Sequence, residues 1–267
     1  MTAPTRGTHL AGGPTWPATD ARRTSAGRML AVLGAFDSRH RSLSLSEIAR
    51  RSGLTLPTAH RLVGELVAFG ALERGPDGRY GVGLRLLELS ALAPRGLQLR
   101  EAAFPHLDAL RRRTGGNVHL SVRDGSEVVY VDAMRTPTRH QITSRVGDRW
   151  PMHATGTGLV LLAYAEADLQ EKVLEGPLKQ FNERTIIDPH RLRRTLADIR
   201  RTGVAVAHGQ ISPHHTVVAV PVRDSVGGVG AAISVVLEAE QARPRQLGAV
   251  LRQASRSITR AMAPTGR

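Results

Sequence analysis

The sequence predicts an α+β fold in two parts, and three observations carry that reading. Helical and strand-like segments mix along the 267 residues without strict βαβ alternation, a pattern that favours a largely antiparallel sheet. Asp124-Gly125 lies between two strand-like runs, Asn117–Arg123 and Glu127–Met134, where a hairpin dipeptide belongs. Between Ser46 and Phe69 two short helical segments flank Ser52-Gly53-Leu54, a tight turn in which Gly53 can take positive φ. The length is enough for two domains, each burying its own core.

Residues 1–23 are rich in Thr, Ala, Gly and Pro without an apolar period, so a flexible tail is expected there. Residues 24–83 are short-period helical and end in a Gly-rich turn. From 84 to 95, apolar residues at 84, 86, 87, 89 and 92 predict one amphipathic connecting helix that Pro94 stops. A second domain is expected over 96–265. It opens with a helix at 97–114 that Gly115 and Gly116 end, followed by the hairpin strands and a third strand near 140–145. Helices are expected at 155–164, 166–175 and 189–202, strands at 216–223 and 229–238, and a last helix at 243–262.

Composition removes several function classes. The chain carries 37 basic and 23 acidic residues, a formal charge of +14, which favours a polyanionic partner such as nucleic acid. Its zero cysteines rule out a disulfide framework, a zinc–thiolate site and a thiol nucleophile. No run of about 18 apolar residues is present, and the N-terminus lacks the apolar core of a signal peptide, so a cytoplasmic protein with no membrane partner is expected. Neither an HExxH nor a GxSxG motif occurs, so an enzyme is not expected and no catalytic residue is assigned. His119, His153, His208, His214 and His215 leave a metal-sensing protein as an alternative. Because His214 and His215 are adjacent rather than one helical turn apart, no metal ligand or cofactor is assigned.

The strongest local signal runs from Leu43 to Tyr80. Ser46 is read as the N-cap of the first helix, and Thr55 precedes a second helix that tolerates Pro57 in its first turn. On that second helix Ala59, Leu62, Val63, Leu66 and Val67 recur at helical spacing and should face inward, leaving Thr58, His60, Arg61 and Glu65 outside. Helix, short turn and helix form a helix-turn-helix, whose second helix enters the major groove of double-stranded DNA through its N-terminal residues. Arg61 can bond guanine or phosphate through both arms, and the Thr58 hydroxyl can bond either. Leu72-Glu73-Arg74 and Arg79-Tyr80-Gly81-Val82 flank Gly75-Pro76-Asp77-Gly78. They read as a two-stranded wing from which Arg74 and Arg79 would reach phosphates.

These blocks resemble the IclR family of bacterial transcription regulators over about residues 24–262. Ser46-Glu47-Ile48-Ala49, Ser52-Gly53-Leu54 and Thr58-Ala59-His60-Arg61-Leu62 look like that family's winged helix-turn-helix, and Tyr80-Gly81-Val82-Gly83 like its exit into a linker helix. The run from Val146 through Trp150-Pro151-Met152-His153-Ala154-Thr155-Gly156-Thr157-Gly158 resembles the family's pocket motif. Gly203-Val204-Ala205, Ala219-Val220-Pro221-Val222 and Ala231-Ala232-Ile233-Ser234-Val235 continue in order. The resemblance implies a GAF-like effector-binding domain, homodimers or homotetramers on palindromic operators, repression or activation of genes often for catabolism of small carboxylic or aromatic acids, and a small-molecule effector that is an organic acid.

A helix opening at Thr155 would seat a carboxylate on its unpaired N–H groups. Gly156 would let the ligand approach the backbone, Thr155 and Thr157 would add hydroxyls, and Ser234 would point into the same cavity. By the resemblance, Ala207 and Val218 also line it. Where many relatives carry charged or polar residues, this chain has Leu159, Ala207, Gly209, Gln210 and Val236. A larger or more apolar effector than a two- or three-carbon acid is therefore expected. The remaining alternative is a regulator whose second domain only oligomerises.

Overall fold

The computed structural model describes residues 24–37, 40–137, 144–224 and 226–263. They form two compact units that meet in sequence at Leu97 and Gln98. In the first unit α1 spans Ser25–Leu33, β1 Ser42–Leu43, α2 Leu45–Ser52 and α3 Leu56–Phe69. The strands β2 (Leu72–Arg74) and β3 (Tyr80–Val82) and the helix α4 (Leu84–Ala91) follow.

The cap of α2 differs from the sequence expectation. Ser44, not Ser46, is the N-cap, in a reciprocal box with Glu47. The Glu47 N–H donates to Ser44 Oγ at 3.3 Å, and the Ser44 N–H donates to Glu47 Oε2 at 2.8 Å. Two orphan donors of the helix start are thereby satisfied. Thr55 caps α3 by position, Pro57 sits in its first turn, and Gly53 takes φ 68° between the two helices. The wing forms as expected, and β1, which sequence reading missed, pairs with β3 to complete a three-stranded antiparallel sheet. Val32, Ile48, Leu62, Leu66 and Leu72 pack into one core beneath these elements. Each such side chain gains about 1.5–3 kcal/mol on burial.

The connecting helix is shorter than expected. It ends at Ala91, and Pro94 opens a π-helical turn over Pro94–Gln98 instead of terminating α4 directly. Next come α5 (Leu99–Thr114), β4 (Asn117–Asp124), β5 (Glu127–Met134), β6 (Arg149–Pro151) and α6 (Gly156–Ala163). The remaining elements are α7 (Ala167–Glu175), α8 (Pro189–Thr202), β7 (Ala205–His208), β8 (His215–Arg223), β9 (Val229–Glu238) and α9 (Pro244–Met262). The six strands form one antiparallel sheet in the order β6-β5-β4-β9-β8-β7.

Three details depart from the sequence reading. Asp124 pairs with Glu127, so the hairpin loop is Gly125-Ser126, one residue later. Of the strand expected near 140–145, residues 140–143 lie outside the described residues and 144–145 are not strand; β6 neighbours β5 instead. The four-residue β7 was not anticipated.

Both faces of this sheet are covered. Val218, Val220, Ile233, Val235 and Leu237 pack with Leu107 of α5 and Leu251 of α9. Ala205, Ala207, Ala219 and Ala232 pack with Leu159 and Leu162 of α6 and with Leu192 and Leu196 of α8. Large residues on one face and small ones on the other let α6 lie close against the strands.

A second close approach holds the end of the wing in place. The Gly83 N–H donates to Ala71 O at 2.9 Å, and a Cβ on Gly83 would lie 2.2 Å from Gly70 O. Because that obstacle is backbone, G83A should destabilise the first unit by about 3 kcal/mol through overpacking. Thermal unfolding followed by circular dichroism checks this, and an unchanged melting curve would refute the close approach.

Candidate DNA interface and effector site

The residues that the sequence assigns to DNA lie at the N-cap and in the first two turns of α3. Thr55, His60 and Arg61 are exposed and Thr58 is half-buried, while Ala59, Leu62, Val63 and Leu66 face the core. The Thr55 hydroxyl does not cap the helix; it bonds the Thr58 hydroxyl at 2.9 Å. Arg61 pairs with Glu65 one turn along the same face. An exposed pair of this kind is worth little, so the guanidinium can exchange that partner for another acceptor.

On the wing, Arg74 leans over the Tyr80 ring at 5.8 Å and keeps an exposed guanidinium. Arg79 behaves differently from the sequence expectation. Its Nη2 donates to Glu47 Oε2 at 2.7 Å and to Ser42 O at 3.0 Å, which turns it back onto α2 and β1. The structure makes Arg79 a brace between the wing and the capping box, in place of the free phosphate-seeking arm expected from sequence. The Ser44 N–H and hydroxyl, joined by the Arg79 guanidinium, hold the Glu47 carboxyl below its usual range. Sequence reading missed this role for Glu47, although Ser44-Leu45-Ser46-Glu47 carries the capping-box spacing.

In the second unit Thr155 caps α6, its Oγ1 accepting from the Gly158 N–H at 3.1 Å. That hydroxyl is thus occupied by the helix itself. A Cβ on Gly156 would lie 2.6 Å from Val217 Cγ1, and one on Gly158 2.4 Å from Met152 O. The glycines admit protein, not an open space: β8 fills the approach expected for a ligand at Gly156. The Thr157 hydroxyl accepts from Ser121 Oγ at 3.0 Å, with both residues buried. Ala207 is buried on the face beneath α6, in register with Val217.

Val218 must be reassigned. It packs among the α5 and α9 side chains, on the opposite face from α6, because successive strand residues point to opposite faces. The residues of β8 that meet α6 are its neighbours Val217 and Ala219. Ser234 stands in register with His119 on one side and with Ala219 on the other, and is 1% exposed. From sequence His119 stands only as one of several histidines able to bind metal or act as a base, but it belongs to this polar row. Its ring stacks on Tyr130 with centroids 4.7 Å apart, and its buried Nε2 has no hydrogen-bond partner among the described residues. Desolvation pulls its pKa down to about 4.

Two cavities, of about 440 and 530 Å³, open elsewhere on this unit, and none of these residues lines either one. Among the described residues no group of three or more His, Cys, Asp or Glu is placed to hold a metal ion. His153 Nε2 lies 3.0 Å from Lys179 O, and His208 Nδ1 lies 3.1 Å from the Thr216 hydroxyl.

Comparison with known proteins decides the family. Residues 92–260 match the model described as bacterial transcriptional regulator IclR C-terminal, and residues 25–76 match the IclR helix-turn-helix domain. The chain belongs to the IclR family. It is 32% identical over 247 residues to the HTH-type transcriptional regulator XynR of Escherichia coli, covering 89% of this chain and 96% of that one. It is also similar to an IclR homolog from Microbacterium hydrocarbonoxydans solved in complex with 4-hydroxybenzoate. That likeness has a TM-score of 0.85 at 36% identity and covers 90% of this chain and 99% of that one. A regulator from Rhodococcus sp. RHA1 matches with a TM-score of 0.78 at 29% identity, over 91% and 99% of the two chains. This IclR-family chain is a DNA-binding transcription regulator with an N-terminal helix-turn-helix domain and a C-terminal effector domain. No helix among its described residues is long and apolar enough to cross a membrane.

The burial of His119 has a pH signature in this IclR-family fold. With a folded pKa of about 4 against an ordinary 6.5, the unfolded chain binds more protons between these values. Stability is therefore undiminished above pH 6.5 and falls as pH drops toward 4, by up to about 3 kcal/mol. H119Q should remove that part of the acid slope in urea unfolding measured from pH 7 to pH 4. An identical slope in the variant would show that the ring is solvated.

Proposed function

We propose that this regulator binds double-stranded operator DNA through α3 and releases or retains it in answer to an organic acid with an apolar body. The observation that carries the effector reading is the buried polar row beneath α6. Ser121 and Thr157 are joined by a hydrogen bond, and Ser234 lies opposite His119 in an otherwise apolar layer. Buried polar groups of this kind are normally fully satisfied, and an unpartnered His119 Nε2 beside them favours a ligand that supplies the missing acceptor. The α6 N-terminus adds its dipole to the attraction for a carboxylate. In this reading Thr157, Ala207 and Ser234 face the ligand, while Thr155 caps the α6 terminus and Gly156 lets Val217 of β8 lie against it.

Leu159, Ala207 and Val236 make the surroundings apolar. An aromatic acid fits such surroundings better than a two-carbon acid, and the Microbacterium hydrocarbonoxydans relative was solved with 4-hydroxybenzoate. Calorimetry with 4-hydroxybenzoate should show binding that S234A weakens, and acetate should bind far more weakly. Tight binding of acetate, or no loss in S234A, would overturn the site.

For the DNA-facing half, Thr55, Thr58, His60 and Arg61 read base edges and Arg74 holds phosphate. Residues 24–83 serve DNA binding, 84–95 link, and 96–265 bind effector and assemble the protein as a homodimer or homotetramer. Leu84, Leu87 and Leu92 are more than half exposed on or beside α4, which buries none of its residues. A second copy of the chain would cover that face, and paired α3 helices then require half-sites about one helical turn or a multiple apart. R61A should cost on the order of 1–3 kcal/mol on operator DNA at fixed salt. Unchanged binding in a gel-shift titration would place Arg61 outside the groove.

A further inference from the structure

The end of β8 forms a second candidate site, separate from the N-terminus of α6. Strand β7 pairs with β8 only as far as Ala205 opposite Ala219, so beyond that point β8 has a strand neighbour on one side alone. The exposed edge is closed by α9 rather than by another strand. Ser255 Oγ donates to Pro221 O at 2.6 Å, and Thr259 Oγ1 donates to Arg223 O at 2.9 Å. Pro221 has no N–H to offer, so this edge is a poor template for an added strand. What remains is a groove of about 440 Å³ between the β8 edge and α9, within the size range of small-molecule sites.

Its chemistry is one-sided. Arg223, Arg252, Arg256 and Arg260 line it, and no acidic residue does. Three of them recur every fourth residue and so share one face of α9, where like charges repel. Arg223 lies over the Tyr164 ring at 5.1 Å and donates to Gly227 O at 2.8 Å, which fixes its guanidinium at the rim. The nearby Asp224 carboxylate is taken up by the Val226 and Gly228 N–H groups, at 3.0 and 2.7 Å. Tyr164, Val220 and Pro221 supply an apolar floor.

We propose that this groove binds a small organic phosphate, its dianionic head held by the α9 arginines and its apolar body against Tyr164. Guanidinium forks match phosphate oxygens two at a time. A phosphate monoester carries about −1.5 to −2 charge at neutral pH, which suits a cluster of cations better than a single carboxylate does. A concave, single-headed groove of this volume also favours a small molecule over a duplex, whose phosphates run along a broad rod.

The test is calorimetric titration of the full chain with phenyl phosphate at fixed salt. One site per chain is expected, weakened at least about tenfold in R252Q/R256Q, which is roughly 1.4 kcal/mol. R193Q/R194Q removes the same charge from the exposed face of α8 and should bind as the unaltered chain does. Circular dichroism confirms that the double variant folds; if it does not, R256Q alone should weaken binding about threefold or more. Absence of binding by the unaltered chain, or equal binding by R252Q/R256Q, overturns the site. Equal loss in R193Q/R194Q overturns it too, by reducing the effect to net charge. A change confined to duplex affinity or to sedimentation would assign the arginines to DNA or to a second copy instead.

Discussion

The period-two alternation of β8 and β9, with helices on both faces, governs every placement in the C-terminal unit. A sheet covered on both sides has no neutral face onto which a residue can be displaced. Shifting one position moves a side chain from the α5–α9 core to the α6–α8 core. Large aliphatics fill the first and alanines the second, so the sheet lies nearer to α6. Gly156 fits there only because it has no side chain. The alternation of β4 and β9 likewise puts His119, Ser121 and Ser234 beneath α6, as polar exceptions in an otherwise apolar layer.

In the N-terminal unit the comparable constraint is electrostatic. Glu47 closes the start of α2 and also receives Arg79 from the wing. One carboxylate therefore sets the angle between a helix end and a β-hairpin. Helix α3 packs on α2 through Leu62, Leu66 and Ile48, so its position depends on the same node.

Much of this was legible in the sequence. Helix periodicity and Gly or Pro punctuation located α3, α7, α8 and α9 to within a residue or two, because several turns of apolar spacing reinforce each other. The two-residue β1 and four-residue β7 were not legible, since so short a run carries no period. The cap at Ser44 was available as a four-residue spacing but was displaced by a second serine two positions later. Val218 failed for a related reason: a motif aligned one residue out of step lands on the wrong side of a strand. His119 could not be placed from sequence at all, because its meaning depends on Tyr130 and Ser234, which only sheet pairing brings beside it.

The unburied leucines of α4 carry a consequence for how the regulator responds to its own abundance. A helix of eight residues is marginal in water without packing partners; this one is held to the N-terminal core through half-buried Leu86, while Leu84, Leu87 and Leu89 stay exposed. If association of copies supplies the missing cover, the helix becomes fully ordered only when they associate. Operator occupancy would then rise more steeply than in proportion to protein concentration, and dilution would switch the regulator off before any effector is involved.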